Sequence, residues 1–159
     1  NKNLIDLVSK IKHKEIFLST GGSTLREISY AVSFFKKNNI KPVLLHGYQS
    51  YPTLVGDTNL NRIDLFKSIF KDNCKYGYQD HISGDNEMSS IIPFISMSLG
   101  LDFIEKHVTL DRSKKGVDYY SSLEPKELKN FFNKIKIIKS SFGNHLFTFS
   151  KQEKNIEMI

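Results

Sequence analysis

The chain has 159 residues, 39% of them hydrophobic and 25% charged, with a formal net charge of +6. That allows one domain with a modest core and excludes a disordered or fibrous chain. No apolar run reaches the roughly 18 residues of a membrane span, no basic-then-apolar leader opens the sequence, and a lone Cys74 rules out an internal disulfide. A reducing, cytoplasmic setting is therefore expected, with Cys74 read as packing. The excess positive charge is carried by dispersed lysines (Lys36, Lys37, Lys67, Lys71, Lys134, Lys136, Lys139). Dispersed lysine is a solvated surface rather than a nucleic-acid footprint, and suits an anionic small substrate equally well.

Leu4, Ile5, Leu7, Val8 and Ile11 recur at helical spacing and predict a helix over 3–12. Residues 15–19 (EIFLS) are a short apolar run read as a buried strand, ending in Thr20-Gly21-Gly22. Ser23 or Thr24 caps the next helix, with Glu27 in its first turn, and Asn38-Asn39 ends it after Lys37. Residues 41–46 (KPVLLH) form a second strand whose consecutive Val43, Leu44 and Leu45 imply cover on both faces. After a longer loop, Asp57 or Thr58 is expected to cap a helix reaching Phe70. A third strand over 76–78, a helix over 85–99 and a fourth strand over 102–107 follow. A polar loop (109–122) leads to a last helix that starts within 122–127, has Pro125 near its first turn and reaches about Lys139.

One helix followed by four βα units argues for a parallel α/β sheet or barrel, with ligand chemistry on the carboxyl rim of the strands. A right-handed crossover between the third and fourth strands makes them parallel neighbours. His81 and His107, with acidic Asp80 and Glu105 beside them, then stand at the same rim, as a divalent metal or a proton-transfer site requires. Ser19, His46, Gln49, Tyr51 and Gln79 end on that rim too. The alternatives at single positions are structural. A strand-end histidine serves as a hydrogen-bonding residue, which is the reading for His46; Ser19 caps a helix, Tyr51 packs on the rim, and Asp118 is a solvated loop carboxylate. His13 and His145 read as surface residues.

The ordered series LSTGGST (18–24), LLHGYQSYPT (44–53), GYQDH (77–81), IEKHVTLDR (104–112), GVD (116–118) and SLEP (122–125) resembles the sialic acid synthase family. These are the N-acetylneuraminate synthases with their legionaminic and pseudaminic acid relatives. The resemblance spans nearly the whole chain. It implies a (β/α)8 TIM barrel that condenses phosphoenolpyruvate with an N-acetylated hexose, served by manganese or magnesium and releasing phosphate and a nonulosonic acid. By the same resemblance His81 and His107 fall on metal ligands, and Glu105 on the acidic residue that handles water or a proton. Ser19 falls on a phosphate-contacting serine, and Tyr51 and Asp118 on positions that meet the sugar.

Three residues depart from the family's pattern. Gln49 stands where a small polar residue or asparagine is common, Gln79 where a serine precedes Asp-His, and Val117 where proline is common. The two glutamines are expected to approach phosphoenolpyruvate. The resemblance also implies that only about four βα units are present, over 1–142, as the second half of a barrel, with 143–159 a polar tail or linker towards an absent antifreeze-like domain. A homo-oligomer or a separate N-terminal half is the expected partner. The competing readings are a catalytically silent half-barrel that binds metal or sugar phosphate, or complements an N-terminal partner, and a nucleic-acid module resting on net charge alone.

Overall fold

Four short strands lie side by side in chain order, all parallel: β1 (Phe17–Ser19), β2 (Val43–His46), β3 (Lys75–Asp80) and β4 (Phe103–Lys106). This is a computed structural model, and it describes residues 2–11, 15–144 and 146–156. His13 and His145 lie outside the described residues. Between the strands run α2 (Leu25–Lys37), α3 (Asn61–Phe70) and α4 (Met88–Ser98); α1 (Lys2–Ser9) precedes them, and α5 (Pro125–Ser141) and α6 (Lys151–Ile156) follow. Among the described residues no helix is long and apolar enough to cross a membrane.

Alternation along each strand divides the chemistry. Leu18, Leu44, Tyr76 and Tyr78 face the helices. There they meet Ile28 and Val32 of α2, Ile63, Phe66 and Phe70 of α3 and Ile92 of α4. Each such large apolar side chain contributes ~1.5–3 kcal/mol by leaving water. The intervening residues face the other way. In a flat sheet β1 and β4 would stand roughly 14 Å apart, three interstrand spacings. Yet the rings of Phe17 and Phe103 meet edge to face, 5.0 Å between centroids. The sheet is therefore curled into an arc with Phe17, Ser19, Gly77, Gln79, Phe103 and Glu105 on its concave face.

The helix ends show where local sequence decides and where it does not. At α2, Thr24 Oγ1 accepts from the Glu27 N–H while Glu27 Oε2 accepts from the Thr24 N–H (2.8 Å), a reciprocal cap worth ~1 kcal/mol. Neither Asp57 nor Thr58 caps α3. A 3-10 turn over Val55–Asp57 intervenes, Leu60 occupies the cap position, and Thr58 Oγ1 turns back to the Val55 carbonyl. Tertiary demand explains this, because the Thr58 carbonyl is needed by His46, whose Nε2 lies 2.7 Å away. The strand predicted over 76–78 runs longer, through Asp80, while the one predicted over 15–19 is only three residues. α5 starts at Pro125, with Glu127 Oε2 accepting from the Glu124 N–H (2.8 Å). Beyond Gly143, in the stretch read as a polar tail or linker, residues Lys151–Ile156 are helical.

Candidate functional site

Beyond the last paired residues of the β3–β4 ladder, Asp80 and Lys106, each strand delivers one histidine. His81 is 1% exposed. Its Nδ1 lies 2.8 Å from the Tyr48 carbonyl, which can only accept, so Nδ1 carries the proton and Nε2 keeps its lone pair. Burial, with His107 as a lesser contributor, pushes the His81 imidazole below its ordinary range, so it is neutral near pH 7. The His107 ring lies 5.1 Å from that of His81. The Nε2 atoms of both histidines are buried without a hydrogen-bond partner among the described residues. Leaving one such atom bare costs ~1–3 kcal/mol, so two together mark a site built to receive something.

Glu105 completes the cluster: one ligand atom from each of His81, Glu105 and His107 lies within 4.8 Å of the others. The donor set and the bare imidazole nitrogens fit a divalent cation. The rest of the concave rim gathers around them. Tyr51 lies over His81 with centroids 4.4 Å apart and meets His107 at 6.0 Å. Its hydroxyl donates to Gln49 Oε1 (2.9 Å), Gln49 Nε2 donates to Ser19 Oγ (3.4 Å), and Ser19 Oγ donates to Gln79 Oε1 (2.9 Å). Gln79 Nε2 in turn donates to Glu105 Oε1 at 2.7 Å. Asp118, with φ 54° in the left-handed region that Asp tolerates, sets Oδ2 4.0 Å from His107 Nδ1. That distance is too long for a hydrogen bond.

Residues 1–146 match the family model described as the NeuB family. The chain belongs to the NeuB family. It is 37% identical over 151 residues to the N,N'-diacetyllegionaminic acid synthase of Campylobacter jejuni, covering 92% of this chain and 43% of that protein. It is also 40% identical over 142 residues to an uncharacterised protein of Methanocaldococcus jannaschii, covering 89% of this chain and 40% of that one. The chain thus spans about half the length, or less, of the curated relatives it matches. The solved N-acetylneuraminic acid (sialic acid) synthetase of Leptospira borgpetersenii, in complex with citrate, superposes with a TM-score of 0.83 at 33% identity, covering 99% of this chain and 53% of that one.

The structure brings together the residues singled out from sequence, except that two neighbours point elsewhere. His46 faces the helices, packed on Phe66 and Tyr78, and burial pushes its imidazole down. Asp80, read from sequence as an acidic companion of His81, also lies on the helix side, where it pairs with Lys106 and accepts from the Tyr78 hydroxyl (2.9 Å). Period-two alternation from Gln79 would have placed it there. Ser19 is not a helix cap, since Thr24 fills that role. Sequence reading missed the residues that seat the two histidines. Besides the Tyr48 carbonyl, Ser121 Oγ donates to the His81 carbonyl (2.6 Å) and the Leu123 N–H to that of His107 (2.9 Å). It also missed Gly47, whose only local signal is a glycine just past a strand end.

Proposed function

We propose that this chain carries the metal- and proton-handling part of a nonulosonic acid synthase, in which phosphoenolpyruvate condenses with the aldehyde of an N-acetylated hexose. The observation that carries the reading is the pair of bare, buried Nε2 atoms of His81 and His107 converging with Glu105 at the carboxyl ends of parallel strands. A cation bound there supplies Lewis acidity to a carbonyl oxygen. His81 and His107 would hold it, with a Glu105 oxygen close enough to join them, and this imidazole–carboxylate set favours manganese over magnesium, which prefers all-oxygen surroundings.

The remaining work falls to the chain's own side chains. As the enol carbon bonds to the aldehyde carbon, the aldehyde oxygen takes up a proton to become a hydroxyl, and water adds to the cationic carbon left behind. Glu105 takes the proton from that water, and loss of inorganic phosphate leaves the keto acid. Ser19 and the Gly21 and Gly22 amides, just before the N-terminus of α2, suit the phosphate. Tyr51 and Asp118 flank the histidines where a sugar would lie, and Gln49 and Gln79 border the anion's side.

Manganese calorimetry on the wild-type chain, His81→Ala and His107→Ala tests this, followed by phosphate release with phosphoenolpyruvate and candidate N-acetylated hexoses. Binding that falls more than ~100-fold in each variant is expected, since each removes a direct ligand. A folded wild type that takes up no manganese would sink the metal reading.

A further inference from the structure

We propose that Gln79 is a positioning residue for Glu105, and that Tyr51, Gln49 and Ser19 hold Gln79 in that role. The proposal rests on the reading in which Glu105 handles the proton at this site. The parallel register sets Gln79 directly across from Glu105, and its amide N–H closes on Glu105 Oε1 at 2.7 Å. That bond decides the rest of the chain. With its N–H facing a carboxylate, Gln79 must turn its carbonyl towards Ser19, whose hydroxyl donates to it (2.9 Å). Ser19, having donated, accepts from Gln49 Nε2 (3.4 Å), and Gln49 accepts from the Tyr51 hydroxyl (2.9 Å). Every donor points the same way, towards Glu105. Flipping the Gln79 amide alone would press a carbonyl oxygen against a carboxylate, so each orientation is enforced by the next.

An independent feature shows that the glutamines are seated rather than loosely arrayed. A Cβ on Gly21 would lie 2.6 Å from Gln49 Cγ, and a Cβ on Gly47 would lie 3.0 Å from both Cβ and Oε1 of Gln79. Each glutamine fills the space that a side chain on the neighbouring turn would take. A serine at position 79 would be too short to span from Glu105 to Ser19, and an asparagine at 49 would fall short of the Tyr51–Ser19 bridge. One amide N–H of each glutamine is also already engaged, Gln79 on Glu105 and Gln49 on Ser19. Their first role is thus to pin one carboxylate oxygen and leave the other in a defined direction, rather than to bind an anion.

The test uses manganese calorimetry on wild type, Gln79→Met, Ser19→Ala and the double variant, with circular dichroism to verify folding. Gln79→Met keeps volume and loses the amide, and is expected to weaken manganese binding ~10-fold or more, the scale of outer-shell losses. Ser19→Ala should weaken it by a smaller factor, and the double variant should be no worse than Gln79→Met, because the bonds act as one unit. Wild-type manganese affinity in Gln79→Met would overturn the proposal. If Gln79→Met does not fold, Ser19→Ala decides in its place, since Ser19 is exposed. A second arm needs no metal. In the metal-free protein, the side-chain amide resonances of Gln79 are expected to move in Glu105→Ala, and those of Gln49 in Tyr51→Phe. If wild type binds no manganese but these shifts occur, the metal reading fails and the relay stands; unmoved resonances overturn the relay.

Discussion

Gln79 and Asp80 are adjacent in sequence, and so are Glu105 and Lys106, yet the two cross-strand pairs they form lie on opposite faces of the sheet. On the convex face, Asp80 and Lys106 are almost wholly buried (side chains 0% and 5% exposed) and in direct contact, with the Tyr78 hydroxyl completing the carboxylate. Burial pushes the Asp80 carboxyl up and the Lys106 ammonium down, and the contact between them opposes both shifts. On the concave face, the Gln79–Glu105 pair is the end of a chain of bonds and borders two imidazole nitrogens without a hydrogen-bond partner among the described residues. Both faces carry polar groups at neighbouring positions along the same strands, the convex pair more deeply buried. The difference is completeness: the convex pair satisfies itself and holds register, while the concave cluster leaves two imidazole nitrogens without a partner among the described residues.

The sharpest way to break that contrast is Asp80→Ala. It strands Lys106 in the interior and is expected to cost ~3–5 kcal/mol in denaturant unfolding, whereas Asp80→Leu with Lys106→Met should recover most of the loss. A cost under ~1 kcal/mol for the single variant would show the convex pair is not holding the strands. On the concave face the effects should appear in binding instead. If His107 holds the proposed cation, His107→Ala is expected to lower manganese affinity more than ~100-fold while unfolding shifts by under ~1 kcal/mol. Gly47→Ala sits between the two. Its methyl crowds Gln79 at 3.0 Å, so manganese affinity should fall several-fold with ~1–2 kcal/mol of overpacking strain.

The smallest expected effect is at the rim pair of Arg112 and Glu127. Arg112 Nη2 donates to Glu127 Oε1 at 2.7 Å, Nη1 contacts the other oxygen, and these bonds hold the Glu127 carboxyl below its ordinary 4.5. A depressed folded value means the pair stabilises above the unfolded value and loses that contribution as pH falls through the folded one. Glu127 is more than a third exposed, so the gain over Glu127→Gln should be at most ~1 kcal/mol at pH 7. Thermal unfolding of the two proteins from pH 7 down to 3 should show their difference closing below about pH 4.5; a difference that widens on acidification would contradict the sign.

The βα alternation, the parallel order and the convergence of Ser19, Gln79, His81, Glu105 and His107 were legible because strand ends and period-two alternation are local signals. Asp80 shows how that legibility fails when alternation is not followed through. Proximity in sequence to His81 suggested a shared site, while the pleat sends the two side chains to opposite faces. The start of α3 failed for another reason: Asp57 and Thr58 carry good capping chemistry, but the buried His46 imidazole claims the Thr58 carbonyl. The glutamine relay was out of reach altogether. It depends on the register of Gln79 against Glu105 and on a sheet curved enough to bring β1 to β3, neither of which is written in any short stretch.

The β3–β4 ladder stops at Asp80 and Lys106, one residue short of each histidine, so main-chain pairing between the two strands does not extend to the imidazoles. The span beyond it is gauged by a third piece of chain. Ser121 grips the His81 carbonyl and Leu123 grips that of His107, two residues apart on one backbone, which works as a ruler laid across both. The spacing of the two imidazoles is therefore set from residues 121–123, a stretch that carries neither of them.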